Sequence, residues 1–133
     1  MKPKILIIED DTFIAELIAK ILSKENFDVD LAFDGEVGLK KIKTQTPDLI
    51  LLDLVIPGIS GFEILKKVKK ESKTKKIPVI IISNLGTPEE VQKGLQLGAD
   101  AYLIKSNSLP DDLLKKMREI LQGEKLKGRI FSK

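Results

Sequence analysis

The chain has 133 residues and a mass of 14.8 kDa, which suits a single domain with its own core. It lacks both cysteine and histidine, which excludes disulfides, thiolate nucleophiles, Cys-ligated metals and any Ser–His or Cys–His dyad. The net charge of +3 is unevenly divided, because residues 1–65 carry seven basic and twelve acidic residues and residues 66–133 carry sixteen and eight. Such a division is typical of a polyanion-binding tail or of an acidic site in the first half.

Three continuous apolar runs predict strands that are buried on both faces, as in a parallel sheet. They occupy residues 5–8, 49–52 and 79–82. Residues 29–32 and 101–104 are less strongly apolar than these three runs, and at the start of residues 29–32 apolar and polar residues alternate. We therefore predict that these two strands lie at the edges of the sheet.

Apolar residues at helical spacing fill the segments between the strands. The first helix follows Thr12, the second begins at Asp34, and the third is marked by Phe62, Leu65 and Val68. Residues 87–90, Thr-Pro-Glu-Glu, are typical of a helix N-cap, a proline in the first turn and an acidic first turn. The last helix follows Pro110 and is expected to end near Gly123.

A β-α pair repeated five times predicts an α/β domain of three layers. The expected architecture is a doubly wound, five-stranded parallel sheet in the order 2-1-3-4-5, a flavodoxin-like (βα)5 fold. We expect the domain to span residues 4–122 and residues 123–133 to form a basic C-terminal extension or linker. The chain contains neither a membrane-length apolar segment nor a signal-peptide pattern, so we expect a cytoplasmic location.

Polar residues follow four of the predicted strands and should meet at one edge of the sheet, where ligands bind in open α/β folds. They are Glu9, Asp10 and Asp11 after the first strand, Asp53 after the third, Ser83 at the end of the fourth and Lys105 after the fifth. An aspartate at a strand end often only caps a loop or helix. Several carboxylates close together instead favour Mg²⁺, which prefers oxygen ligands. Since aspartate accepts phosphoryl groups covalently, the set predicts Mg²⁺-assisted aspartyl phosphorylation.

With these residues in place, residues 4–122 resemble the receiver domain of bacterial two-component response regulators. The similarity lies in the acidic pair after residues 5–8, in residues 47–63 around Asp53, in Ser83, and in residues 98–105, Gly-Ala-Asp-Ala-Tyr-Leu-Ile-Lys. The resemblance implies that Asp53 accepts a phosphoryl group from a sensor histidine kinase or phosphotransfer protein. It implies a signalling protein, not an enzyme in the ordinary sense.

The same resemblance implies the roles of the other site residues. Asp10 would be the principal Mg²⁺ ligand, with Glu9 acting through water and Asp53 and the Val55 backbone carbonyl as further ligands. It further implies that Lys105 neutralises the phosphoryl group, that Ser83 turns toward it and that Tyr102 changes its packing. A downstream protein would then bind the face formed by the fourth helix, the fifth strand and the fifth helix.

Three positions depart from the pattern of that family. Ser106 follows Lys105 where the family usually has a proline after a cis peptide bond, so a cis bond there would cost about 3 kcal/mol. Asn84 replaces a small residue after Ser83 and is expected to narrow the access to Asp53 or to bond the phosphoryl group. Val55 and Leu85 are apolar where some relatives have polar residues that orient water. We therefore predict slow self-dephosphorylation.

Two other functions stay open on the residues alone. A Mg²⁺-dependent aspartyl phosphohydrolase would use a similar site but needs a substrate cap, and the connections between the elements here are short. A flavin electron carrier needs a phosphate-binding loop after the first strand, where this chain has three carboxylates. The lysines of residues 66–76 are interpreted as a solvated helix face without stacking aromatics, so neither nucleic acid nor membrane is expected as a partner.

Overall fold

The structure, a computed structural model, describes residues 2–105 and 110–131, with residues 124–131 described as helical backbone only. Strands and helices alternate along the chain. In order they are β1 Lys4–Ile8, α1 Thr12–Lys24, β2 Asp28–Ala32, α2 Gly35–Gln45, β3 Leu49–Leu52, α3 Gly61–Lys70, β4 Val79–Ser83, α4 Pro88–Gln96, β5 Ala101–Ile104 and α5 Asp111–Phe131.

The five strands form one parallel sheet in the order β2-β1-β3-β4-β5, so the predicted fold and its two edge strands are confirmed. The strand ends are aligned, because Ile8 lies beside both Ala32 and Leu52, and Ser83 lies beside Ile104. The residues that follow β1, β3 and β5 are thereby brought to the same edge of the sheet.

The core forms two apolar layers, one on each face of the sheet, because successive side chains of a strand point to opposite faces. Helices α2 and α3 cover one face, together with residues near the end of α4, and α1 and α5 cover the other. The first layer includes Leu6, Ile50 and Ile81 from the strands with Ile42, Leu65 and Ala99; the second includes Ile7, Leu51 and Ile80 with Ile18, Leu22 and Met117.

Four helices begin at side chains that accept a hydrogen bond from a backbone N–H of the first turn. These caps are Asp11, Asp34, Ser60 and Thr87. At α4 the cap is reciprocal, since the Thr87 hydroxyl accepts from Glu90 N–H and the Glu90 carboxylate accepts from Thr87 N–H, with Pro88 in the first turn. The prediction of this helix start from residues 87–90 is confirmed.

Helix α5 does not end near Gly123, as was predicted, but continues to Phe131. A glycine inside a helix costs about 1 kcal/mol relative to alanine, and the following Glu-Lys-Leu-Lys segment favours a helix strongly enough to continue it. The separate status of residues 123–133 stays a prediction, and the Lys105–Ser106 bond lies outside the described residues. Among the described residues no helix has the length and apolar character needed to cross a bilayer.

Candidate metal centre

Two buried carboxylates stand at adjacent strand ends. Glu9 directly follows β1 and Asp53 directly follows β3. The two residues are only 3% and 5% exposed. Both are held through the backbone, since Glu9 N–H donates to Ala32 C=O at 3.0 Å and Asp53 N–H donates to Ile8 C=O at 3.0 Å. The sheet itself therefore fixes where these two side chains begin.

Lys105 joins the two carboxylates. Its ammonium donates to Asp53 Oδ2 at 2.9 Å and forms an ion pair with Glu9 Oε1, and the lysine side chain is 12% exposed. The remaining oxygens accept backbone hydrogen bonds, Glu9 Oε2 from Asp11 N–H at 3.1 Å and Asp53 Oδ1 from Val55 N–H at 3.3 Å. The single ammonium of Lys105 thus offsets the charge of two buried carboxylates.

Burial affects the protonation of this cluster. It raises the pKa of Glu9 from 4.5 to about 7, and the neighbouring charge of Asp53 adds to this, although hydrogen bonds from Lys105 and Asp11 N–H oppose it. Burial alone would lower the pKa of Lys105, but the hydrogen bonds to Glu9 and Asp53 outweigh it and raise that pKa. Lys105 is therefore charged at neutral pH, while Glu9 readily takes up a proton unless a further cation is bound.

Asp10 completes the acidic cluster. It is exposed, and one carboxylate oxygen each of Glu9, Asp10 and Asp53 lie within 4.8 Å of one another. When all three are ionised, Lys105 offsets one of three negative charges, which leaves a deficit suited to a divalent cation. An all-oxygen donor set that is open to solvent on one side fits Mg²⁺, which keeps several of its waters.

Two further residues of the predicted set take different positions. Val55 is 60% exposed, and its N–H contacts Asp53, so its backbone lies in the loop beside the acidic cluster. Asp11, which the sequence placed next to the acidic pair, instead caps α1, because its Oδ1 accepts from Ile14 N–H at 3.2 Å. The local interpretation of an aspartate as a helix cap therefore holds for Asp11.

Ser83 lies with Tyr102 in a second polar group rather than on Asp53. Ser83 is buried, and its hydroxyl accepts from Leu85 N–H at 3.1 Å. The Tyr102 hydroxyl donates to Leu85 C=O. Burial raises the pKa of Tyr102, opposed by a hydrogen bond with Ser83 and reinforced by the charges of Glu90 and Asp53, so the phenol stays a donor at neutral pH.

The sequence did not indicate the role of Leu85, whose backbone joins Ser83 to Tyr102, nor that of Gly35. Gly35 N–H donates to Pro57 C=O at 3.1 Å in the loop that follows Asp53. A backbone carbonyl has no sequence signature. A glycine directly after a helix cap such as Asp34 is a signal of a close approach, since only glycine leaves that space empty.

Comparison with known proteins identifies the family. A family described as "Response regulator receiver domain" matches residues 5–118, which is most of the chain. The chain belongs to the response regulator receiver domain family. The resemblance noted in the sequence is thereby confirmed, and the five-stranded fold described above is the fold of this receiver domain's relatives.

Individual relatives agree with this assignment. "Response regulator ArlR" of Staphylococcus saprophyticus is 39% identical over 127 residues, covering 96% of this receiver domain chain and 56% of that protein, so the chain spans about half the length of this relative. A CheY-like receiver domain protein of Methanospirillum hungatei has a TM-score of 0.88 at 32% identity, covering 96% and 99% of the two chains. The BeF3-activated N-terminal receiver domain of Klebsiella pneumoniae RstA has a TM-score of 0.82 at 30% identity, covering 89% and 97%.

Proposed function

We propose that this receiver domain is a phosphorylation-activated switch that accepts a phosphoryl group on Asp53 from a phosphohistidine of a sensor kinase or phosphotransfer protein. The observation that carries the proposal is the cluster of three carboxylates with one shared ammonium at the carboxyl edge of the sheet. In the transfer, an Asp53 carboxylate oxygen bonds to phosphorus as the phosphorus–nitrogen bond breaks, and the released imidazole nitrogen takes up a proton. The chain itself contains no histidine that could be the donor.

Glu9, Asp10, Asp53 and the Val55 carbonyl are proposed to hold Mg²⁺. When bound, Mg²⁺ would offset the negative charge of the carboxylates and of the phosphoryl oxygens. The support is the all-oxygen donor set and the excess of three carboxylates over the single ammonium that contacts them. The hydrogen bond from Lys105 to Asp53 supports the proposal that this ammonium would neutralise the phosphoryl group.

The switch is proposed to start at Ser83 and Lys105. A phosphoryl group adds about −1.5 to −2 charges and new acceptor oxygens beside Asp53. The Ser83 hydroxyl, which now accepts from Leu85 N–H, would donate to one of these oxygens, and Tyr102 would repack because its hydroxyl is bonded to the same Leu85. Such a change biases a two-state equilibrium of the α4-β5-α5 face, which a downstream protein would bind.

The most direct test uses the isolated domain with Mg²⁺ and acetyl phosphate, followed by intact mass, and with Mg²⁺ and beryllofluoride, followed by amide NMR. We expect one phosphoryl group to be added only when Mg²⁺ is present. Beryllofluoride is expected to shift the resonances of Ser83 and Tyr102 together with those of α4. Unchanged mass and spectra with both reagents would contradict the proposed function.

The phosphorylated domain is expected to dephosphorylate itself slowly, over minutes or longer. Hydrolysis needs an oriented water, and Val55, the exposed residue two positions after Asp53, has no polar side-chain group to orient one. Val55→Asn is expected to shorten the lifetime, whereas Val55→Ala is the matched apolar control and should not. The lifetime is read from the decay of phosphoprotein mass in Mg²⁺ after removal of acetyl phosphate, and a half-life of only seconds in the unaltered domain would contradict the prediction.

The aspartyl phosphohydrolase is the alternative function, and the same preparation tests it. A phosphohydrolase would release phosphate catalytically from small esters such as p-nitrophenyl phosphate. The switch would release phosphate only as slowly as its own phosphorylated Asp53 is hydrolysed. The family membership and the short connections between the described elements, which form no substrate cap, support the switch.

A further inference from the structure

Gly35, at the start of α2, lies against the loop that follows Asp53, although the two segments are far apart in sequence. Its N–H donates to Pro57 C=O at 3.1 Å, and Gly35 is buried. A Cβ built on Gly35 would lie 3.0 Å from both the carbonyl carbon and the nitrogen of Ile59 and closer still to its oxygen. The first turn of α2 therefore rests directly on the backbone of this loop.

The other end of the loop is equally confined. Gly61 N–H donates to Leu54 C=O at 3.1 Å, and a Cβ on Gly61 would lie 2.5 Å from Asp53 C=O and 2.6 Å from Leu54 Cα. Between these two supports stands Val55, with its N–H on Asp53 Oδ1. The backbone at Val55 is thus confined by the contact of Gly61 with residues 53–54 before it and by the contact of Gly35 with residues 57–59 after it.

We infer that Gly35 is a positioning residue of the candidate metal centre, because it sets the place of the 54–60 loop and with it the Val55 carbonyl. This inference rests on the proposed Mg²⁺ role of the site. The φ of Gly35 is not positive, so alanine can adopt the same backbone conformation. The contact with Ile59 is what opposes the substitution. Gly35→Ala must therefore push the loop away from α2, and outer-shell changes of this kind cost roughly 10- to 100-fold in metal affinity.

The test compares Gly35→Ala with Gly38→Ala. Gly38 is buried on the same helix, but the three atoms nearest to its added Cβ all belong to the Ile8 side chain, at 2.7 to 3.1 Å, and none to the loop. We expect the Mg²⁺ dissociation constant to rise roughly 10- to 100-fold for Gly35→Ala and to stay close to that of the unaltered domain for Gly38→Ala. Amide shifts of residues 55, 56, 58 and 59 in the metal-free proteins should change in the first variant only.

Every outcome decides the inference. Unchanged Mg²⁺ affinity in Gly35→Ala, unchanged loop shifts in it, or equal weakening in both variants would each overturn it. If the unaltered domain binds no Mg²⁺, the proposed function fails, and the metal-free amide shifts still decide whether Gly35 positions the loop. If Gly35→Ala does not fold, the unaltered domain decides: the Gly35 amide, which bonds Pro57 C=O, should shift together with those of Val55 and Ile59 as Mg²⁺ is added, and a Gly35 amide that does not respond would overturn the inference.

Discussion

Replacement of Asp53 by asparagine is expected to abolish the gain of a phosphoryl group in Mg²⁺ and acetyl phosphate. The amide has the shape of the carboxylate but is a poor nucleophile. Within the described part of the chain, the only other buried carboxylate at this edge of the sheet is Glu9, which follows a different strand. Intact mass spectrometry measures the effect directly. The response of the amide spectrum to beryllofluoride should disappear as well.

Asp11→Asn is the matched control for this substitution. Asp11 lies close to the acidic cluster in sequence, but it caps α1, and asparagine caps helices about as well as aspartate. Phosphorylation should therefore persist in Asp11→Asn. A phosphoryl group that still appears in Asp53→Asn, at any residue, would refute the assignment of the acceptor.

Lys105→Met is expected to destabilise the metal-free domain by about 3 kcal/mol, because removal of one partner leaves buried charges without compensation. Glu9 and Asp53 both contact this ammonium and are nearly inaccessible to solvent. Protonation of Glu9, whose pKa is already about 7, limits the loss. Urea unfolding in EDTA measures it as a lower midpoint.

Mg²⁺ should recover about half of this loss, because it should bind Lys105→Met about tenfold more tightly than the unaltered domain, equivalent to about 1.4 kcal/mol. The reason is competition, since the ammonium and the metal ion offset the same carboxylates. Unfolding midpoints with increasing Mg²⁺ report both quantities, since a ligand that binds only the folded state stabilises it. Weaker Mg²⁺ binding in the variant would contradict this account of Lys105.

Lys116→Met provides the surface control. Its ammonium lies 3.3 Å from Glu119, but both side chains are about half exposed, and such pairs contribute less than about 1 kcal/mol. This substitution should change neither the unfolding midpoint in EDTA substantially nor the affinity for Mg²⁺. Similar effects of the two substitutions would show that loss of positive charge alone, rather than the place of Lys105, is responsible.

Most of the fold was predictable because its signals are local. The apolar runs at 5–8, 49–52 and 79–82 form the three inner strands, and Thr87 with Pro88 starts α4 as expected. The end of α5 was not predictable from Gly123, because a modest glycine penalty competes with the helix preference of its neighbours. Apolar spacing also did not indicate that Leu17 of α1 and Val37 of α2 are more than 40% exposed. The apolar face of each helix is wider than the part of it that packs against the sheet.

The site divides in the same way. The sheet topology alone was enough to bring Glu9, Asp10, Asp53 and Lys105 together. That Lys105 contacts two carboxylates at once, and that Ser83 bonds the Leu85 backbone instead of Asp53, depends on side-chain conformations that no pattern of residue types records. The contact of Gly35 with residues 57–59 joins segments more than twenty residues apart and is visible only once the chain is folded.

The reciprocal cap at Thr87 has a mechanical consequence for the segment before it. Only three residues, 84–86, connect the end of β4 to the Thr87 cap, and a chain of three residues spans at most roughly 10 Å. The middle one, Leu85, is already tied on both of its backbone polar groups. A Ser83 hydroxyl that left Leu85 N–H would therefore release one end of a connection that leads within three residues to the first turn of α4.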